Sequence, residues 1–394
     1  MSGTLLTDVK AIREAATPLR SPQDLDPLVR RLARARIVLL GEATHGTAEF
    51  QRWRAELTKR LLAERDFSFV AVDGDWAECH RVHYCVAGAP GAPNDPGQAL
   101  WGFRHWPTWR WANEEVAEFA RWQRAFNATG DGVPCGFHGL DVHSLGEFLR
   151  GVLEFVREHA PDRLDATIRA FRCFEPDGDD PRGSAGLVPD NSREEVVRRL
   201  TSARVGVPGA EGYYRELLHG GARARDARAT HLNDTLDRLL RAYGPRSKAV
   251  VWAHNTQVGG TLGRLARERH AADGVATVGF GTHHGSVIAA GHWGGSVRRM
   301  TVEPAHPDSW EGLLHDAVPD ENSFFVFRDD DVWAHEPREH RAIGVVHRGG
   351  GYVPAARYDA FVHCDETTAI TPLHHWEPEE EPPFVPAQTY PRGG

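Results

Sequence analysis

A glutamate and a histidine three residues apart, in Gly41–Glu42–Ala43–Thr44–His45–Gly46, form the pair in this sequence best suited to acid–base chemistry. A neutral imidazole titrates near neutrality and can take a proton from water. A carboxylate beside it fixes the tautomer and favours the imidazolium formed in a transition state. Flanking glycines let the chain turn tightly and leave room for a substrate. The start of a helix after them supplies N–H donors where negative charge develops. Plainer roles compete: Glu42 and Thr44 could cap the helix that follows, and His45 could sit in an exposed loop.

Three further apolar runs end in groups of the same kind. One ends at Asp73 and Asp75, another at His254 and Asn255, a third at Thr282–His283–His284. If the four strands are parallel and adjacent, their carboxyl ends bring carboxylates and imidazoles to one edge, where parallel sheets bind ligands. The aspartates equally suit caps or turns, His254 suits a hydrogen-bonded place near the core, and one of His283 and His284 is expected to be structural. A metal held by Glu42, His45, Asp73 and His254 is an open alternative, since mixed His/carboxylate sets take zinc or manganese. No G-x-S-x-G, H-E-x-x-H or G-x-x-x-x-G-K-[ST] pattern occurs, which disfavours the usual serine hydrolases, zinc helices and phosphate loops. Four tryptophans between Trp101 and Trp111, Trp106 and Trp109 among them, could either wall a pocket or pack the interior. Arg54 follows His45 by nine residues, so it reaches the same place only if His45 precedes the regular helix.

These residues need a scaffold of strands and helices. Continuous apolar runs at Ile37–Leu40, Phe67–Val72, Cys135–Leu140, Ala249–Ala253 and Val275–Phe280 read as buried parallel strands. Further strand candidates are Phe324–Phe327, Ala342–His347 and Phe361–His363. Residues 1–35 read as helical. Phe50, Trp53, Leu57 and Leu61 recur at helical spacing from Thr47 to Leu62, and Glu114–Phe126, Ser144–Glu158 and most of Glu194–Leu240 are also helical. Gly88–Gly97 and Phe174–Ser192 read as loops. The expectation is an α/β fold: a mostly parallel central sheet flanked by helices, with a helical insertion at about 144–245 over the active-site face. Residues 1–375 would form one catalytic domain and 376–394 a Pro/Glu-rich tail.

Composition sets outer limits. The 394 residues are 41% apolar and 26% charged, with a formal charge of −9, which speaks against nucleic acid as partner. The five cysteines, Cys79, Cys85, Cys135, Cys173 and Cys364, are scattered and odd in number, so neither a disulfide framework nor a structural zinc site is expected. No signal peptide and no apolar run near the roughly 18 residues of a membrane span are visible, so the expected compartment is the cytoplasm.

The block Gly41–Phe50 resembles the signature of the erythromycin esterase family. Arg54–Leu62, Val70–Trp76, Trp106–Trp109, Gly139–Leu145, Val251–Asn255, Gly279–His283, Ala342–Val346 and Tyr358–Val362 follow in that family's order, so the resemblance covers roughly residues 18–375. It implies an α/β fold with a deep cleft and hydrolysis of a macrolactone ester by a histidine-activated water, without a covalent serine, an essential metal or another cofactor. Carried over, His45 is the general base, Glu42 orients it or shares the proton, Arg54 supports substrate or carboxylate, and His254 assists from the facing strand. Two positions depart from the pattern: Asp73 stands where the family commonly has Glu, and Gln257 where it commonly has His.

The resulting expectation is a hydrolase of an ester or lactone of a small-molecule, polyketide-type substrate. Its catalytic set is Glu42, His45, Asp73 and His254. Its substrate contacts are Arg54, Trp106, Trp109, Gln257, His283 and His284. Oligomeric state is left open. A cyclising or group-transferring enzyme with the same base, and an inactive ligand-binding homologue, are the alternatives.

Overall fold

The computed structural model describes residues 3–104, 107–130, 132–141, 161, 221–292, 294–328, 331–336, 338–348, 351–354 and 358–374. Trp106, the helix expected at Ser144–Glu158, the loop at Phe174–Ser192, most of the expected insertion and the tail lie outside the described residues. In chain order the described elements are α1 (Gly3–Ala15), β1 (Thr17–Pro18), α2 (Asp26–Leu32), β2 (Ile37–Leu40), α3 (Ala48–Glu64), β3 (Phe69–Asp75), α4 (Trp76–Val86), α5 (Pro96–Trp101), α6 (Glu114–Asn127) and β4 (Gly136–Asp141). They continue with α7 (Gly221–Tyr243), β5 (Ala249–Trp252), α8 (Asn255–Val258), α9 (Thr261–Arg269), β6 (Val275–Ala290), β7 (Val297–Val302), α10 (Trp310–Ala317), β8 (Ser323–Val326), α11 (Val332–His335), β9 (Glu339–Arg341), β10 (Tyr352–Pro354) and β11 (Ala360–Thr367).

Nine strands form one sheet in the order β1-β8-β11-β6-β2-β5-β3-β4, with β7 joined to β6. The six neighbours from β11 to β4 are parallel. β8 is antiparallel to β11, β1 to β8, and β7 to β6. β9 and β10 form a separate antiparallel pair. The continuous apolar character of β2 follows from its place at the centre: all four residues are fully buried. Val38 and Leu40 enter one core with α3 and α6, while Ile37 and Leu39 enter the other with α7 and α10. Each such side chain stabilises the fold by about 1.5–3 kcal/mol relative to exposure. Among the described residues, no helix is long and apolar enough to cross a membrane.

Two expectations change. β6 runs on to Ala290, well past Phe280, and folds back through β7 as an antiparallel partner that the sequence did not show. Ala342–His347 is not a strand: Ile343 and Val346 make only single bridges, to Thr44 and Ala290. Of the expected helical insertion, α7 lies in the described residues, and its Arg228 reaches Asp73. It lays Leu232, Leu236, Leu239 and Leu240 into the core of the sheet's second face, because its apolar residues recur at three- and four-residue spacing.

Candidate active site

Glu42 and His45 occupy the seven-residue connection between β2 and α3. The carboxyl end of β2 is fixed by its neighbours: the Gly41 N–H donates to Val278 O at 2.8 Å, and the Asn255 N–H to Glu42 O at 2.9 Å. The Asn255 side chain extends this clamp, donating to Phe280 O at 2.6 Å and accepting from Phe280 N at 3.2 Å. Gly41 and Gly46 are required by packing, not by space for substrate. A Cβ on Gly41 would lie 2.1 Å from Asn255 Oδ1, and one on Gly46 2.0 Å from Ile288 O. Thr47 is the N-cap of α3 and bonds Thr44 through their hydroxyls, so Glu42 is not a helix cap. His45 precedes the first turn, which is how Arg54 comes to share a site with it.

His45 Nδ1 lies 2.7 Å from Glu42 Oε1. A carboxylate only accepts, so Nδ1 carries the hydrogen and the lone pair sits on Nε2. Glu42 Oε2 takes Arg54 Nη2 at 2.7 Å. His254 stands beside His45, ring centroids 4.9 Å apart. Its Nε2 donates to Ala43 O at 3.2 Å, and its Nδ1 faces Thr256 Oγ1 at 2.8 Å. Both nitrogens of His254 are thus engaged, whereas His45 Nε2 has no hydrogen-bond partner among the described residues.

Behind the pair runs a buried chain of alternating charge. Arg110 Nη2 lies 4.0 Å from Glu42 Oε1 and 3.0 Å from Asp73 Oδ2. Arg228 bridges Asp73 Oδ1 and Asp141 Oδ2. The Gln257 amide donates to Asp73 Oδ2 at 2.7 Å. Three carboxylates and three guanidiniums are each at most 3% exposed. A buried ion network of this kind adds little net stability over apolar packing, but it holds its members in one geometry before any ligand arrives.

The charges decide protonation. Burial raises the Glu42 carboxyl, but Arg54, the His45 hydrogen bond and Arg110 outweigh it and hold Glu42 well below the ordinary carboxylate range. Burial pushes His45 down, Arg110 adds to this, and Glu42 and Asp73 oppose them. His254 is pushed down to about 3, by burial first and then by His45. The site at neutral pH therefore holds an ionised Glu42 and two neutral imidazoles, one of them with a free basic nitrogen.

The erythromycin esterase family model matches residues 62–367. The chain belongs to the erythromycin esterase family. Membership places it among esterase-like hydrolases. The matched span begins after Glu42, His45 and Arg54 and includes Asp73, His254 and Gln257. Solved structures share the fold at low identity. A succinoglycan biosynthesis protein is 21% identical with a TM-score of 0.78, covering 94% of this chain and 99% of that one. A Bacillus cereus protein is 17% identical with a TM-score of 0.76 over 94% and 99%. An erythromycin esterase EreC mutant in its open conformation is 15% identical with a TM-score of 0.63 over 91% and 97%.

In this family member the structure brings Glu42, His45, Asp73, His254, Arg54 and Gln257 together. Their roles differ in kind. Arg54 is fully buried behind Glu42, with Gln51 Oε1 as a second partner and Trp252 beneath it, so it braces the carboxylate and is not exposed to a substrate. Asp73 is enclosed by cations and Gln257, and Asp75 caps α4 through Glu78 N. Trp109 packs into the interior with Ala48, Ile288 and Ile370. His283 and His284 do not join the Glu42 group: they gather with Asp365 instead, because β11 lies on the far side of β6 from β2. Arg110, Asp141 and Arg228 were not singled out from the sequence. Asp141 carried the same sign as Asp73, an acid at the end of an apolar strand. Arg110 was a cation set between Trp109 and Trp111, stacked over the latter at 5.0 Å. Nothing distinguished Arg228 from the other arginines of its helix.

Proposed function

We propose that the chain hydrolyses an ester or lactone of a small, polyketide-type molecule, with His45 as the base that activates water. The carrying observation is the Glu42–His45 pair. Its 2.7 Å contact engages Nδ1 and leaves Nε2, which has no hydrogen-bond partner among the described residues, as the basic atom. Nε2 removes a proton from water while the resulting hydroxide attacks the carbonyl carbon. The ionised Glu42 stabilises the imidazolium across their hydrogen bond. Collapse of the tetrahedral oxyanion breaks the C–O bond, and the imidazolium returns its proton to the leaving alkoxide. The products are a carboxylic acid and an alcohol, or one hydroxy acid from a lactone. His254 packs against His45 and fixes its ring plane, while Asp73 sets the field around it through Arg110.

The test is His45→Ala assayed against a panel of activated esters and macrolactones. A fall of about 10²–10⁴-fold in kcat with an unchanged fold supports the base role. Full turnover in a folded His45→Ala protein would reject it.

A second reading has one observation in its favour. The two departures from the family pattern, Asp73 and Gln257, are hydrogen-bonded to each other. Gln257 cannot relay protons as histidine can. The same base then deprotonates a hydroxyl, amine or amide of the substrate for ring closure or group transfer. Reaction in oxygen-18 water separates the two readings, since only hydrolysis places the label in the product acid.

A further inference from the structure

A second group of imidazoles surrounds Asp365 on the strands next to the site. His283 and His284 end the regular parallel run of β6, His363 and Asp365 come from β11, and His315 comes from α10. Among the described residues, no hydrogen bond or ion pair joins this group to Glu42, His45, Asp73 or His254.

Its hydrogen bonding is lopsided. Asp365 Oδ1 accepts from His315 Nδ1 at 2.8 Å and from His363 Nε2 at 3.2 Å, and Oδ2 accepts from Asp320 N at 3.1 Å. The carboxylate is therefore oriented from three sides. Among the described residues, by contrast, the side-chain nitrogens of His283 and His284 are paired only with each other, Nδ1 to Nδ1 at 3.1 Å. His363 is fully buried, and its Nδ1 has no hydrogen-bond partner among the described residues. The His283 ring also stacks on His315 with centroids 3.8 Å apart and planes within 5°.

We propose that His283, His284 and Asp365 bind a divalent first-row transition ion. One ligand atom from each lies within 4.8 Å of the other two. Two imidazole nitrogens held about 2.1 Å from one ion at a right angle stand about 3.0 Å apart, close to the spacing seen between the two Nδ1 atoms. Two imidazoles and one carboxylate are a common donor set for such ions and leave positions for water or a ligand oxygen. His315 and His363 supply what a metal-binding carboxylate ordinarily has, hydrogen bonds that fix its orientation. His283 and His284 are half-buried, so an ion reaches them from solvent.

The experiment titrates the chelator-stripped full chain with Co2+ and follows the visible ligand-field bands, with thermal unfolding in parallel. Binding is expected to saturate at one equivalent and to raise Tm, since an ion held only by the folded state stabilises it. His284→Ala is expected to abolish both responses while the metal-free protein keeps its circular dichroism and Tm, and Asp365→Asn should act likewise. His45→Ala is expected to leave the bands intact. Absence of saturable bands overturns the site, as does their survival in His284→Ala. Their loss in His45→Ala alone would place the ion in the first site and overturn this one.

Discussion

At the scale of residues, the state of His45 is set by opposing neighbours. Burial and Arg110 lower its proton affinity, and Glu42 and Asp73 raise it, with a net downward result. A general base acts only when neutral, so activity is expected to stay level from neutral pH to below the ordinary imidazole range near about 6.5. A kcat/KM profile with an acid limb above that value would contradict this. Glu42→Gln removes a group that favours the imidazolium. The acid limb should then move to still lower pH, and kcat should fall by about 10²–10⁴-fold. The same change leaves Arg54 without its carboxylate in a fully buried place, at a cost of about 3–5 kcal/mol. The measurement therefore pairs the pH profile with a urea midpoint.

At the scale of elements, the site depends on how closely β6 and the chain after β11 approach the β2–α3 connection. Gly46 O accepts from Ile288 N at 3.1 Å and from Ile370 N at 3.0 Å, so β6 and the chain after β11 both press on this joint. A methyl group there meets Ile288 backbone, which cannot rotate away. Gly46→Ala is expected to shift the start of α3 and cost about 1–3 kcal/mol. It should also reduce kcat/KM far more than an equally destabilising change at a distant core position such as Leu28→Val. Equal loss in the two variants would show that the joint does not position His45. The glycines at 41 and 46 were visible in the sequence, but their reason was not: a close approach between elements more than 200 residues apart leaves no local pattern.

At the scale of the whole molecule, the protein buries several histidines in the neutral form. Burial pushes His83, His231 and His340 down to about 4, His254 to about 3 and His138 to about 2. In the unfolded chain each titrates near about 6.5. Between those values the unfolded state binds more protons, so this contribution to stability is complete above pH 6.5 and is lost as pH falls toward the folded values. The urea midpoint is expected to drop steadily between about pH 6.5 and pH 4.5. His138→Gln, if folded, should reduce that slope. A midpoint independent of pH over this range would show that the histidines are not held neutral.

The sequence by itself determined the strands β2 to β5, the first part of β6, and the pairing of an acid with an imidazole at the end of the first of them. Continuous apolar runs have no other favourable place than a sheet covered on both faces, and a Glu three residues before a His is close enough to pair through its own connection. The order of strands was outside its reach. β5 lies between β2 and β3, and that placement alone sets His254 beside His45 and Gln257 against Asp73. Arg228 meets Asp73 across 155 positions of chain. His283 and His284 end a strand just as His254 does, yet β6 presents them to β11 and Asp365. Local pattern fixes which residues are buried and which are reactive. Only the packing of distant segments decides which reactive groups share a charge field, because that pairing carries no signal in the spacing of either partner.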